Sequence, residues 1–174
     1  MSAVDFFFTI EEPALGELKD KGSKFRAYLF PVKSEESFKS QLNFIKEQEP
    51  NARHHCWAFI LGEEADFHKS NDDGEPRNTA GAPILRTLVS SGLTNLACVV
   101  VRYFGGTKLG VPGLIAAYGG SAELAVENSR KVKEVISQRL TLSTTYEHMA
   151  LVERMIKTYG ADVVAREQRE TVTY

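Results

Sequence analysis

The chain contains little cysteine, has a net charge close to zero and lacks long apolar runs. Cys56 and Cys98 are its only cysteines, they form no CxxC pair, and both lie in apolar, strand-like segments, so we expect two buried free thiols. The net charge of −2 provides no global basic field for nucleic acid, so any such surface must be local. No apolar run approaches the length of a membrane span, and Phe6–Phe8 is too short for a signal-peptide core. We therefore expect a cytoplasmic protein.

Three well-known glycine-loop motifs are also missing. A Walker A loop needs Ser or Thr directly after its Lys, whereas here Thr107 precedes Lys108. The chain has no G-x-G-x-x-G run, which excludes the Rossmann fingerprint. Residues 110–113 have the GxxG spelling of a KH loop, but a KH loop joins two helices and this segment follows a predicted strand.

The remaining composition is that of a globular protein. Hydrophobic residues make up 43% of the chain and charged residues 25%, which excludes a disordered or fibrous chain. A length of 174 residues is enough for one domain and part of a second.

The most informative stretch runs from Thr94 to Asn128 and predicts a buried strand, a glycine-rich loop and a long helix. The strand is the apolar run Leu96–Val101. The helix carries an apolar stripe at 3.6-residue spacing, made by Val111, Leu114, Ile115, Tyr118, Ala122, Ala125 and Val126. The loop and the helix start hold four glycines: Gly105, Gly106, Gly110 and Gly113.

This loop has the features of an anion-binding site. Pro112 suits the first turn of a helix, whose free N–H groups would then point into the loop, and Arg102 and Lys108 flank it. The alternative is that the glycines only permit a tight strand-to-helix turn. The sequence leaves both interpretations open.

A second glycine-containing loop, NDDGEPRNTAGAP, precedes a helix with apolar residues from Ile84 to Val89. It contributes the acidic residues Asp72, Asp73 and Glu75 and one cation, Arg77. Both units share the layout strand, loop, helix. If their helices cover the same sheet, the two loops open onto the same edge and form one site.

The other helices and strands are predicted from the spacing of apolar residues and from residues that end helices and strands. We predict a strand over Phe25–Val32, a helix capped by Ser34 and closed by Pro50, and a central strand over His55–Leu61 with an antiparallel partner at 66–70. Residues 129–134 are charged and indicate a helix end and linker. The rest of the chain predicts a βαβ piece. It begins with a strand over 139–145 that has Leu140 and Leu142 inward, followed by an amphipathic helix from Met149 to Tyr159 that ends at Gly160. A weakly alternating segment over 162–174 completes it.

A histidine-rich segment has the residue types of a metal site, but their spacing along a strand does not favour one. His54, His55, Cys56 and His68 are all metal-ligating residue types. Alternation along a strand, however, places His54 and Cys56 on one face and His55 on the other, so only a partial ligand set forms. We predict no metal ligands here, and we expect His55 to be either a polar group near the loop site or a core histidine.

Five blocks in order resemble the Impact family: SKF at 23–25, RHHCWAF at 53–59, NDDGEP at 71–76, TAGAPIL at 79–85 and VRYFGGTKLGVPGLIAAY at 101–118. The resemblance covers roughly residues 5–129. It implies an α+β two-layer sandwich of the ribosomal protein S5 domain 2-like type over 1–134. It also implies a ferredoxin-like domain over 135–174, of which this tail looks like the opening βαβ piece, apparently incomplete.

The resemblance favours a non-enzymatic, translation-associated regulator, because eukaryotic members resemble regulators that bind the activator of a general-control kinase. Its partner would be RNA, the ribosome or a translation factor, bound without a cofactor. The phosphate contacts would come from Arg53, Arg77, Arg102, Lys108 and the amides of Gly105, Gly106 and Gly110. Tyr103 and Phe104 would stack on bases if exposed, or fill the core if buried.

The second hypothesis is an enzyme that acts on a phosphorylated small molecule, since the S5-like superfamily includes small-molecule kinases. Asp72, Asp73 and Glu75 would then hold Mg²⁺ beside the anion-binding helix start. The alternative role of these carboxylates is to solvate the loop and to cap turns, because Asp-Asp-Gly is common turn chemistry. No nucleophile–base pair stands out, so we assign no catalytic residue.

Overall fold

The computed structural model describes residues 6–168 and 172–173 of the chain. It divides into two compact units, Met1–Ile136 and Ser137–Tyr174. The first unit contains the strand–loop–helix segments predicted to form the site. Its elements are β1 (Phe6–Ile10), β2 (Ala14–Asp20), β3 (Ser23–Pro31), α1 (Glu35–Gln48), β4 (His54–Leu61), β5 (Phe67–Asn71), α2 (Gly81–Ser90), β6 (Leu96–Tyr103), α3 (Gly110–Glu127) and β7 (Lys131–Val135).

The first unit is organised around a five-stranded antiparallel sheet with the strand order β2-β3-β6-β4-β5. The central strand, β6, is buried on both faces, as its continuous apolar sequence predicts. Leu96, Cys98 and Val100 pack with residues of α2 and α3. The alternate residues of β6 pack on the opposite face with residues of α1. The predicted α+β class is confirmed: the sheet and the α2–α3 pair form two layers, and α1 covers the other face.

Helix α1 begins where the sequence predicts. The Ser34 side chain accepts a hydrogen bond from the Ser37 N–H at 3.1 Å, and the Ser37 hydroxyl receives the Ser34 N–H at 3.2 Å. Such a reciprocal cap stabilises a helix by about 1 kcal/mol. Phe38 anchors the helix on the sheet, with its ring 4.7 Å from the ring of Trp57 and 4.9 Å from that of Phe59.

The segment predicted to be a linker after α3 is instead a strand, so that prediction is wrong. Strand β7 pairs with β1 in antiparallel register, from Phe6 opposite Val135 to Ile10 opposite Lys131. Its exposed residues, Lys131, Lys133 and Val135, alternate with the half-buried Val132 and Glu134. Charged residues occur on both faces, which conceals an alternation this short. The Lys133 ammonium lies 3.7 Å from the Phe6 ring centroid, which is a cation–π contact.

The second unit contains β8 (Ser143–Thr144), a 3₁₀ turn at Tyr146–His148, α4 (Met149–Tyr159), β9 (Glu167–Gln168) and β10 (Val172–Thr173). Helix α4 ends at Gly160, whose φ of 64° makes the left-handed cap that the sequence predicts. The strand expected over 139–145 is reduced to Ser143–Thr144, and Leu140, expected inward, is 76% exposed.

In the second unit, β8 and β9 each pair antiparallel with β10, which lies between them in the order β8-β10-β9. The two strands that flank α4 therefore run parallel to each other without pairing directly. Residues 169–171 and 174, part of the last predicted segment, lie outside the described residues.

The two cysteines are buried free thiols, as expected. Burial raises the pKa of both thiols. Across the described residues, no helix has the length and apolar character to span a bilayer.

Candidate functional site

The two predicted loops leave the sheet at the same edge because of strand direction. Strands β4 and β6 run antiparallel with His54 opposite Arg102, so β6 ends where β4 begins. Strand β5 returns antiparallel to β4 and also ends at that edge. Residues 72–80 then lead into α2, and residues 104–109 lead into α3.

A cleft of about 480 Å³ lies between these loops and the start of α3, and we call it the loop cleft. Both loops line it. Its basic side chains are Arg53, His54, Arg102 and Lys108, and its acidic side chain is Glu75. Its apolar part consists of Pro76, Phe104, Leu109, Val111 and Leu114. The cleft therefore combines a cationic part with an apolar part.

Glu75 and Arg102 form a buried ion pair that joins the two loops. Arg102 Nη1 donates to Glu75 Oε1 at 2.7 Å, and the two side chains are only 9% and 4% exposed. The Tyr118 hydroxyl of α3 donates to the same Oε1 at 2.7 Å. Burial, followed by the nearby Cys56 and Glu75, raises the pKa of Tyr118, so this phenol stays neutral and acts as a donor. Arg102 Nε is buried and has no hydrogen-bond partner among the described residues.

Asp72 caps α2 from the preceding loop. Its Oδ1 accepts the N–H groups of Ala80 at 3.1 Å and Gly81 at 2.8 Å, and its Oδ2 accepts that of Asn78 at 2.9 Å. A carboxylate at a helix N-terminus satisfies free donors and complements the helix dipole. Asp72 therefore holds the loop onto the helix.

Asp73 is also occupied by its own chain. Its Oδ2 accepts the His55 N–H at 2.7 Å, and its carbonyl oxygen lies 2.7 Å from His54 Nδ1. With Glu75 paired to Arg102, each of the three loop acids has a partner within the protein. Among the described residues, no group of three or more His, Cys, Asp or Glu side chains is arranged to hold a metal ion. The enzyme hypothesis assigns Mg²⁺ to the three carboxylates of this loop, and each of these carboxylates is already engaged by groups of this chain.

The start of α3 contrasts with that of α2. Its N-cap residue, Leu109, makes no side-chain capping bond within the described structure, and the first turn contains no acidic residue. Pro112 lies in that first turn, as predicted. The positive end of the α3 dipole therefore meets the loop cleft with no acidic residue in the helix's own first turn, beside the exposed Lys108.

Two further cations of the cleft also lack a carboxylate partner among the described residues. Arg53 and Lys108 are exposed, and no ion pair within the described part of the chain involves either one. Because Glu75 offsets Arg102, these two side chains and the helix start give the cleft its positive potential.

Six of the predicted site residues line the loop cleft: Arg53, Glu75, Arg102, Phe104, Lys108 and Gly110. Asp72 and Asp73 lie in the loop and support it, as described above. Arg77 is exposed but does not line the cleft. Gly105 and Gly106 lie outside the lining as well, and Gly105 packs against the β2–β3 turn, where an added Cβ would come within 1.9 Å of the Gly22 carbonyl carbon.

His55 and Tyr103 require correction, because alternation places both on the α1 face of the sheet. His55 Nε2 lies 3.1 Å from the Glu49 carbonyl oxygen, and the Tyr103 hydroxyl donates to the Glu49 carboxylate. The cleft instead holds His54, the neighbour of His55 on β4. Phe104, the other aromatic residue predicted to stack if exposed, does line the cleft. The signal was present, since His54 shares its face with Cys56, but the antiparallel register was needed to set it beside Arg102.

Val111 was predicted to face the core and is 52% exposed on the cleft. Val111 has the 3.6-residue spacing of the apolar stripe, but it lies in the first turn of α3, which borders the cleft. Leu114 is the first residue of the stripe that is buried in the core. The end of the stripe nearest the loop thus belongs to the cleft rather than to the core.

Glu49, at the end of α1, organises a second polar cluster on the opposite face. Its carboxylate accepts hydrogen bonds from the hydroxyls of Tyr28 and Tyr103 and from Arg26 Nη1. Burial acts to raise the pKa of Glu49, but these hydrogen bonds, with Tyr103 first, outweigh it and lower the pKa below its ordinary value. The bond to Glu49 raises the pKa of Tyr103 to about 12.

We expect Glu49→Gln to destabilise the protein by about 1–3 kcal/mol at neutral pH, because it weakens hydrogen bonds to a charged group. A carboxyl with a lower pKa in the folded state stabilises fully above its unfolded pKa of about 4.3, and this stabilisation is lost as the pH falls through the folded value. The difference from wild type should therefore be largest above about pH 5 and shrink in acid. Urea unfolding from pH 3 to 8 measures it, with the exposed Glu47→Gln as control. A difference that stays constant with pH would contradict this role of the carboxylate.

The fold and the loop cleft define an α+β protein with a cationic cleft between two loops. Comparisons with known proteins give its family. The family described as the Impact N-terminal domain matches residues 21–126. IMPACT family member YvyE of Bacillus subtilis is 36% identical over 151 residues, which cover 87% of this chain and 70% of that protein. IMPACT family member YigZ of Escherichia coli is 35% identical over 138 residues, which cover 78% and 68%. This chain belongs to the Impact family, as its sequence blocks indicate.

A solved structure supports the fold. This crystal structure of a hypothetical protein superposes on the chain with a TM-score of 0.75 at 27% sequence identity, over 98% of this chain and 84% of the other. Both units of the chain therefore have counterparts in an experimentally determined protein.

Proposed function

We propose that this chain is a non-enzymatic, translation-associated protein that binds RNA through the loop cleft. The association with translation comes from the Impact family resemblance, which implies RNA, the ribosome or a translation factor as partner. The finer fold assignment is part of the same proposal: an S5 domain 2-like first unit and a second unit of ferredoxin-like type. Both types occur in proteins that act on ribosomes or RNA, and a shared fold alone does not assign a function.

The observation that carries the proposal is the contrast between the two helix starts at the cleft edge. The start of α2 is neutralised by Asp72, whereas the start of α3 has neither a cap nor an acidic residue in the described structure. Arg53 and Lys108 add charge without carboxylate partners there. An RNA phosphate supplies the negative charge that these groups lack.

The experiment is filter binding of structured RNA to the purified protein across a salt series. We expect binding that weakens with salt, since each neutralised phosphate contributes a slope of roughly −0.7 to −0.9 in log K against log salt. Lys108→Ala should reduce the size of that slope by about one.

Arg77→Ala is the matched control, because Arg77 is an exposed cation on the other loop but does not line the cleft. It should leave the slope unchanged. Wild-type protein that binds no RNA at low ionic strength would refute the proposal. If Lys108→Ala and Arg77→Ala reduce the salt slope equally, the loop cleft is not the binding site.

A further inference from the structure

The loop cleft has an apolar part that phosphate binding does not explain. Phe104 is 51% exposed at its edge, and Val111 is 52% exposed in the first turn of α3. Leu109 and Leu114 continue this surface into the cleft. A site for phosphate alone needs only cations and N–H groups, so the exposed ring points to a ligand with an apolar, flat component.

The ring of Phe104 is held next to the cationic part of the cleft. The Arg102 guanidinium carbon lies 5.5 Å from its centroid, and the same carbon lies 5.6 Å from the buried ring of Phe25. Arg102 is in turn fixed by Glu75. The aromatic and cationic parts of the cleft therefore meet at one anchored side chain.

Arg102 provides a second, independent observation that points to a ligand. Its side chain is 9% exposed and lines the cleft, yet within the described residues its Nε donor has no acceptor. An unmet buried donor is costly and adds positive potential to the wall beside Phe104. An anion placed near the α3 start would be attracted by this donor as well as by the helix dipole.

We propose that the loop cleft takes one unpaired nucleotide of single-stranded RNA. This inference rests on the proposed function and names its substrate class. The base stacks on Phe104, and the adjoining phosphate lies at the α3 start, near Arg53 and Lys108. In a duplex the base faces are stacked and unavailable, whereas a single strand can turn a base outward onto an aromatic side chain.

The test is fluorescence anisotropy with one labelled oligoribonucleotide, presented either single-stranded or annealed to its complement. We expect the single strand to bind more tightly. Phe104→Leu should weaken single-strand binding about 5- to 150-fold, the range for loss of one stacked base. Phe104→Tyr keeps a flat ring and should retain binding. Phe44→Leu, which removes an exposed ring on α1, serves as a control and should change nothing.

The outcomes separate this inference from the proposed function. If duplex and single strand bind equally and Phe104→Leu is neutral while Lys108→Ala still reduces the salt slope, the stacking inference is overturned and the RNA proposal stands. If no RNA binds, both are overturned. A nucleoside monophosphate that binds as tightly as the strand, with the same loss in Phe104→Leu, assigns the site to free nucleotides and overturns its assignment to a strand. Thermal unfolding of each variant confirms that it is folded.

Discussion

Replacing Glu75 with alanine is expected to lower the free energy of unfolding by about 3–5 kcal/mol, the usual result of removing one partner of a buried ion pair. The change leaves the Arg102 guanidinium buried without its counter-charge and the Tyr118 hydroxyl without its acceptor. Because domains of this size are stable by only about 5–15 kcal/mol, a loss of that size is large. Chemical denaturation followed by circular dichroism measures it.

Two further variants show whether charge or packing is responsible. Glu75→Gln keeps an oxygen for Tyr118 but removes the charge, so its unfolding free energy should fall between those of wild type and Glu75→Ala. Glu64→Ala removes an exposed carboxylate and should stay within about 0.5 kcal/mol of wild type. A Glu75→Ala protein as stable as Glu64→Ala would contradict the role of the ion pair in joining the loops.

Gly105→Val is expected to destabilise the first unit by about 3 kcal/mol, the upper end of the usual cost of overpacking. A Cβ at this position would lie 1.9 Å from the Gly22 carbonyl carbon and 2.4 Å from the Ser23 nitrogen, and both are backbone atoms that cannot rotate away. The Gly105 N–H also donates to Ser23 Oγ at 3.2 Å, so the β6–α3 loop and the β2–β3 turn are in direct contact. Thermal or urea unfolding measures the loss.

The neighbouring Gly106 provides the control. An added Cβ there meets no atom within 4 Å, but its φ of 91° disfavours other residues, so Gly106→Ala should cost only about 1–2 kcal/mol. A Gly105→Val protein that folds normally and loses only RNA binding would contradict the packing role. It would instead support the sequence-based expectation that Gly105 serves the ligand.

The strand–loop–helix units could be predicted from sequence because their signals are local. The apolar run Leu96–Val101 and the Ser34 cap each determine an element within a few residues. The common edge of the two loops also followed from the shared layout. Strand β7 was missed because its five residues are mostly charged and its partner, β1, lies at the other end of the unit.

The contacts that build the cleft could not be predicted, because they join residues far apart in the sequence. The ion pair of Glu75 with Arg102 joins residues 27 positions apart, and the contact of Gly105 with Ser23 joins residues 82 positions apart. Alternation correctly separated His54 from His55, but only the register with β6 shows which of them faces Arg102. Likewise, the sequence left open whether the acids of the second loop hold Mg²⁺ or cap turns, and the structure shows Asp72 capping α2 and Glu75 paired with Arg102.

The central claim is that the uncapped start of α3 and its neighbouring cations receive a phosphate of RNA. The most direct measurement is a titration of the ¹⁵N-labelled protein with a short single-stranded RNA, followed by amide chemical shifts. We predict saturable shifts at Phe104, at residues 106–111 and at Arg53, with the amides of α1 unchanged. Shifts confined to α1 or to the second unit, with the α3 start unaffected, would contradict it.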